Sequence, residues 1–197
     1  MPNNIDPAAA ELPTPPTFPL NTILANATVV FKDRVLISGP EHLAVDETLN
    51  RGYVGTLTGR IVALDMDNPY TSVPLHICDI GEPYKALPSP CGKYDTLDIC
   101  GRVLGLVVDD NHNLIVADAS KGIYKLDLHN KLKIPLAQSI EVFESGVVRH
   151  EKLNFVNSLQ LDSVSERIFF SISSRKFTLK DLFLDILEFR PNGALAM

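Results

Sequence analysis

The sequence predicts an all-β protein: a β-propeller of about three blades, read as truncated because propellers close with four to eight. Three observations predict it. Short apolar runs alternate with clusters of Asp, Asn and Gly; the unit occurs three times; and the spacing of the copies suits sheets better than helical repeats. The clearest copy is CGKYDTLDICGRVLGLVVDDNHNLIVADASKGIYKLD, Cys91 to Asp127, with apolar runs at Leu104 to Val108, Leu114 to Ala117 and Ile123 to Leu126. The intervening turn residues tolerate the backbone angles of tight hairpins, so the pattern reads as an antiparallel meander. Aligned on Asp46, Asp109 and Asp162, the copies recur at roughly fifty to sixty residues, in the range of propeller blades. One such sheet cannot bury both faces alone, and radial stacking is the arrangement that covers them.

Taken in order, Met1 to Leu20 holds six of the prolines and reads as an extended or disordered lead-in. Residues 21–197 read as the partial propeller. The β-branched run Ala27 to Phe31 and then Val35 to Ile37 read as strands. The first blade spans about 39–80, with strands His42 to Val45, Tyr53 to Thr56 and Arg60 to Leu64. A Pro-rich, Cys-bearing connection, Glu82 to Ile99, leads to the second blade at about 102–144, whose outer strand is expected at Gln138 to Phe143. After a polar connection, Ser145 to Leu153, the third blade occupies about 154–197, with strands Phe155 to Leu161 and Arg167 to Ile172. Between Arg175 and Leu187 the apolar residues approach helical spacing, so a helix or a strand and loop both fit.

Composition narrows the function. The chain has 197 residues, 45% hydrophobic and 21% charged, with a formal net charge of -6, as in a globular, mildly acidic protein. Lys and Arg are scattered without a basic run, which excludes nucleic acid as a partner. No apolar stretch approaches the roughly twenty residues of a membrane span, and the first residues lack the pattern of a signal peptide. Taken alone, that start reads as cytosolic. Cys91 and Cys100 bracket a short loop ahead of the strongest strand. Their spacing is compatible with a disulfide of an oxidising compartment and equally with reduced thiols. Cys78 is left over in an apolar strand-like run. Asn26-Ala27-Thr28 is an N-glycosylation sequon.

The repeat itself nominates a site. Glu41 stands at the same offset ahead of Asp46 as Asn157 does ahead of Asp162, and the second unit has Leu104 there. Equivalent places in blades share radius and height about the axis, so Glu41 and Asn157 are expected to face each other across it. A carboxylate and an amide oxygen are hard ligands that suit Ca²⁺. Two are too few for its six to eight ligands, so water or other residues must complete the shell. A loop residue and an inter-blade hydrogen bond are the plainer readings of the pair. His42 is a weaker candidate, as a general base. Asp118 reads as a turn cap, and no serine sits in a nucleophile elbow.

GPEHLAVD (Gly39 to Asp46), CGRVLGLVVD (Cys100 to Asp109), VADASKGIYKLD (Val116 to Asp127) and FVNSLQLD (Phe155 to Asp162) together resemble the strictosidine synthase-like family, in its animal branch of adipocyte plasma membrane-associated proteins. The resemblance extends from about Ile5 to the C-terminus. It implies a six-bladed propeller related to paraoxonases, with a central Ca²⁺ held by residues matching Glu41 and Asn157. It also implies an arylesterase- or lactonase-type hydrolase acting on a small ester or lactone, and a disulfide matching Cys91 with Cys100. The branch is one of secretory-pathway membrane glycoproteins, so membrane association is expected through an anchor ahead of the lead-in. Ser158 stands where the family has Asp, and Ser171-Ile172 where it has Thr-Asp. The glutamate of the synthase condensation has no match here, so a condensing activity is not expected. The resulting expectation is an impaired or inactive calcium-dependent hydrolase; the alternative is a non-catalytic scaffold that self-associates through open blade edges.

Overall fold

The computed structural model describes residues 17, 19, 22, 25–31, 33, 35–81 and 91–197. Most of the Pro-rich lead-in, and residues 82–90 of the connection, lie outside them. The first sheet is a four-stranded meander of β1 (Leu43–Asp46), β2 (Arg51–Gly55), β3 (Arg60–Asp65) and β4 (Leu75–Asp79). A helical turn, Tyr94–Thr96, and the short helix α1 (Leu97–Cys100) lead to the second sheet. This is β5 (Val103–Val108), β6 (Leu114–Asp118), β7 (Gly122–Asp127) and β8 (Leu132–Ala137), again in sequence order. The hairpin β9 (Ser139–Glu144) and β10 (Val147–Lys152) follows. The third sheet orders β11 (Val156–Asp162), β12 (Arg167–Ile172) and β13 (Ala194–Ala196), with α2 (Leu182–Glu188) between the last two.

Successive sheets meet at their inner strands, β1 against β5 and β5 against β11. That is the radial arrangement of propeller blades: two four-stranded blades and a three-stranded third. Glycine permits the close approach. A Cβ on Gly105 of β5 would stand 3.1 Å from the Asn157 carbonyl oxygen of β11, and one on Gly55 of β2 would stand 2.3 Å from Val103. One core lies between the first two blades, on Tyr53, Ile61, Leu106 and Val116; a second lies between the next two, on Ile115, Ile123, Val156 and Phe170. Alternation along β6 divides the strand between them, Leu114 and Val116 to one side and Ile115 and Ala117 to the other.

Three expectations need correction. The outer strand of the second blade is Leu132–Ala137, whereas Ser139–Glu144 pairs with Val147–Lys152 in a separate hairpin. Lys131, at a φ of 57°, makes the turn into β8, and Pro135 stands in a solvent-facing outer strand, where a missing N–H is tolerated. Hence Ser145 to Leu153 is not a plain connection: Gly146, at a φ of 81°, turns the hairpin there. Ala27 to Phe31 and Val35 to Ile37 are not strands. Phe31, Leu36 and Ile37 pack side chains onto Val54, Val62 and Leu64 without pairing, and the Asp33 carboxylate accepts from the amides of Val35 and Leu36 at 2.8 Å. Hydrophobic burial is met there by contact alone.

Candidate axial site

Glu41 and Asn157 open onto one cavity of about 340 Å³, with Leu104 between them and Lys93, Tyr94 and Arg102 completing its polar lining. Each is positioned locally. The Glu41 amide donates to the Gly55 carbonyl at 3.4 Å, tying the approach to β1 against β2. Asn157 lies in the irregular register between Val156 and Leu159, where a bulge re-aims side chains. Its amide nitrogen donates to Ser173 Oγ at 2.9 Å, which fixes the amide plane. The departures from the family pattern join this local network: the Ser158 amide donates to Ser171 Oγ at 3.1 Å. His42 is part-buried, and no hydrogen bond ties it to either residue.

Arg102 is what the repeat pattern did not show. It is 7% exposed, and its guanidinium donates to the Gly39 carbonyl at 2.6 Å and to Glu41 Oε2 at 3.2 Å. Burial lowers its pKa, and the Glu41 and Asp118 carboxylates work against that. An arginine stays charged in proteins, and a buried one needs partners, so its place directly after Cys100-Gly101 was the available signal. Cys91 and Cys100 form a disulfide with a Cα separation of 5.7 Å. It closes the loop carrying Lys93, Tyr94 and Leu97 onto the start of β5.

The donor chemistry fits a hard cation, whereas the number of donors does not fill its shell. Glu41 Oε1 and the Asn157 amide oxygen are of the right type, but Arg102 engages Glu41, and Lys93 adds a second positive charge. Among the described residues no group of three or more His, Cys, Asp or Glu could hold a metal.

Asp118 caps a turn: Oδ1 accepts from the amides of Ser120 and Lys121 at 2.9 and 3.0 Å. The sequence did not show that this carboxylate is wholly buried, with Oδ2 unpartnered, nor that burial raises its pKa over the lowering effect of those amides. Asn26 and Thr28 of the sequon are exposed.

No family model matches the chain. The rat adipocyte plasma membrane-associated protein is 30% identical over 196 residues, covering 97% of this chain and 46% of that protein. The human protein of the same name is 30% identical over 196 residues, covering 97% of this chain and 42% of its own length. Over the part it spans, the chain is similar to the adipocyte plasma membrane-associated proteins. A Drosophila melanogaster protein, named adipocyte plasma membrane-associated protein Hemomucin, is 28% identical over 174 residues, 86% of this chain and 27% of that protein. The chain thus spans less than half the length of these relatives. A luciferin-regenerating enzyme superposes with a TM-score of 0.47 at 14% identity, covering 81% of this chain and 44% of that one. The relatives are named for association with the plasma membrane; in this chain no described helix is long and apolar enough to cross one.

Proposed function

We propose that this chain carries part of the axial site of a strictosidine synthase-like hydrolase that acts on small esters or lactones with Ca²⁺. The observation supporting it is the opening of Glu41 and Asn157, from equivalent places in the first and third blades, onto a single cavity. Glu41 and Asn157 would hold the ion, with water or residues beyond those described completing its coordination. A bound Ca²⁺ supplies electrophilic stabilisation of an ester carbonyl. The chain's own residues do the rest: Phe155, Leu104 and Leu179 line an apolar wall for the acyl or aryl group, and Arg102 fixes Glu41. Membrane association, in the manner of the relatives' name, belongs to the same proposal.

Thermal melting against added CaCl₂ tests the site. The expected result is a calcium-dependent rise in melting temperature that Glu41→Gln abolishes and Asn157→Leu reduces. An unchanged melting temperature up to millimolar Ca²⁺ would reject the metal reading. With phenyl acetate the chain alone should turn over weakly or not at all; robust calcium-dependent turnover would contradict the view that the site is only partial here.

A second reading, a non-catalytic binding or scaffold module, is favoured by the pairing of Arg102 with Glu41 and by Lys93 beside it, which put more positive than negative charge in the cavity. Self-association through the outer edges β8 and β13 would accompany it. That reading expects no calcium response and a mass in solution that rises with concentration.

A further inference from the structure

The first and second blades meet at their inner strands and part toward their outer ones, as radial sheets do. Beyond their shared core, β4 and the turn from β7 into β8 border a cleft of about 900 Å³. That is the upper part of the range for ligand pockets. The floor continues the core: Tyr53 and Leu126 are 1% and 3% exposed, and Ile77 and Leu128 pack against it.

The rim is cationic. Arg51 comes from β2, Lys131 from the turn and Lys133 from β8, where its ammonium donates to the Ile80 carbonyl at 2.7 Å. His76, His112 and His129 also line the cleft. The carboxylate in the lining, Asp127, accepts from Asn130 at 2.8 Å through both oxygens and keeps its negative charge, so Arg51, Lys131 and Lys133 stand against one anion; His76 lies 3.4 Å from Asp79, outside the lining. His112 Nδ1 lies 2.7 Å from Asp46 Oδ2, a carboxylate outside the lining. In a chain with a formal net charge of -6, this is a local concentration of positive charge over an apolar floor.

We propose that this cleft binds an alkyl carboxylate, its chain laid on Tyr53, Ile77, Leu126 and Leu128 and its head at the rim supplied by Arg51, Lys131 and Lys133. The site is separate from the axial cavity and shares no lining residue with it. The apolar floor selects for a hydrocarbon body, and the rim selects against neutral and cationic heads. Neither selection needs a metal.

Cys78 is the reporter. It is the chain's free cysteine, half-buried in the cleft lining, with its thiol pushed up to about 11 chiefly by burial. The experiment follows the modification of Cys78 by dithiodipyridine in the oxidised full chain. Decanoate below its micellar concentration should slow the reaction several-fold and saturably. Decanol should protect far more weakly, and decyltrimethylammonium not at all. Lys131→Glu, at an exposed turn, should weaken decanoate protection by about tenfold or more, what a hydrogen bond to a charged group is worth, and leave the effect of decanol unchanged. Should that variant melt lower than the parent, the comparison of the three probes on the unmodified chain decides. Equal protection by decanoate and decanol would overturn the role of the cations, and absence of protection by decanoate would overturn the site.

Discussion

Breaking the Cys91–Cys100 bridge is expected to destabilise the chain by an amount that its loop length sets. The two cysteines are 9 residues apart. The chain-entropy relation then gives about 8.6 cal/mol/K, or about 2.6 kcal/mol near 25 °C, for the freedom that the bridge removes from the unfolded chain. With an m-value of about 2 kcal/mol per M in urea, the midpoint should fall by roughly 1.3 M, while the slope stays nearly constant. The loss should be felt at the axial cavity. Cys100 is 2% exposed, its carbonyl accepts from the Gly81 amide at 3.1 Å, and Gly101 and Arg102 follow it directly. A Cβ on Gly59 would stand 2.0 Å from the Cys100 carbonyl oxygen, so this stretch has little room to relax. Urea unfolding of the oxidised chain, the chain reduced with a phosphine, and Cys91→Ser with Cys100→Ser provides the measurement. Equal midpoints, with reduction verified by mass, would refute the entropic account.

Three further outcomes are expected. Burial raises the pKa of Asp118 in the folded state, so the stability it contributes is complete below the unfolded value of about 4 and is lost as pH rises through the folded value. Asp118→Asn should therefore gain stability relative to the parent as pH increases from about 4, and a difference independent of pH between the two would contradict this. Arg175 donates to Glu151 at 2.7 and 2.9 Å and to Glu144 at 2.8 Å, tying the β9–β10 hairpin to the segment after β12. Arg175→Met should lower global stability by no more than about 1 kcal/mol, as for exposed pairs, yet speed amide exchange in the hairpin; unchanged exchange there would show that other contacts hold it. Expression through a secretory pathway should add a glycan at the exposed Asn26 that Asn26→Gln removes, checked by mass before and after enzymatic deglycosylation.

Much of the fold was legible because its signals are local. Leu114 to Asp118 alternates between two cores, and the Asn and Gly turns on either side fix the hairpin ends, so strand positions followed from residues a few places apart. The outer strand of the second blade was misplaced because solvent-facing strands bury little. Along β8, five of the six residues are exposed, so the apolar pattern there carries no information about pairing. Glu41 and Asn157 open onto one cavity because radial repeats place equivalent residues at equivalent heights.

By itself, the sequence determined three copies of a strand-turn-strand unit, the turns at Thr58-Gly59, Asp110 to Asn113 and Ser120 to Gly122, and the pair of groups that recur ahead of Asp46 and Asp162. Only the tertiary structure decided that Arg102 lies buried against Glu41, that Asp118 is sealed from water, and that the first two blades part to leave a cationic cleft around Cys78. The physical reason is range. Strand and turn choices are made within a few residues, whereas burial, charge pairing and clefts arise between blades, from residues as distant in sequence as Glu41 and Arg102 or Arg51 and Lys133.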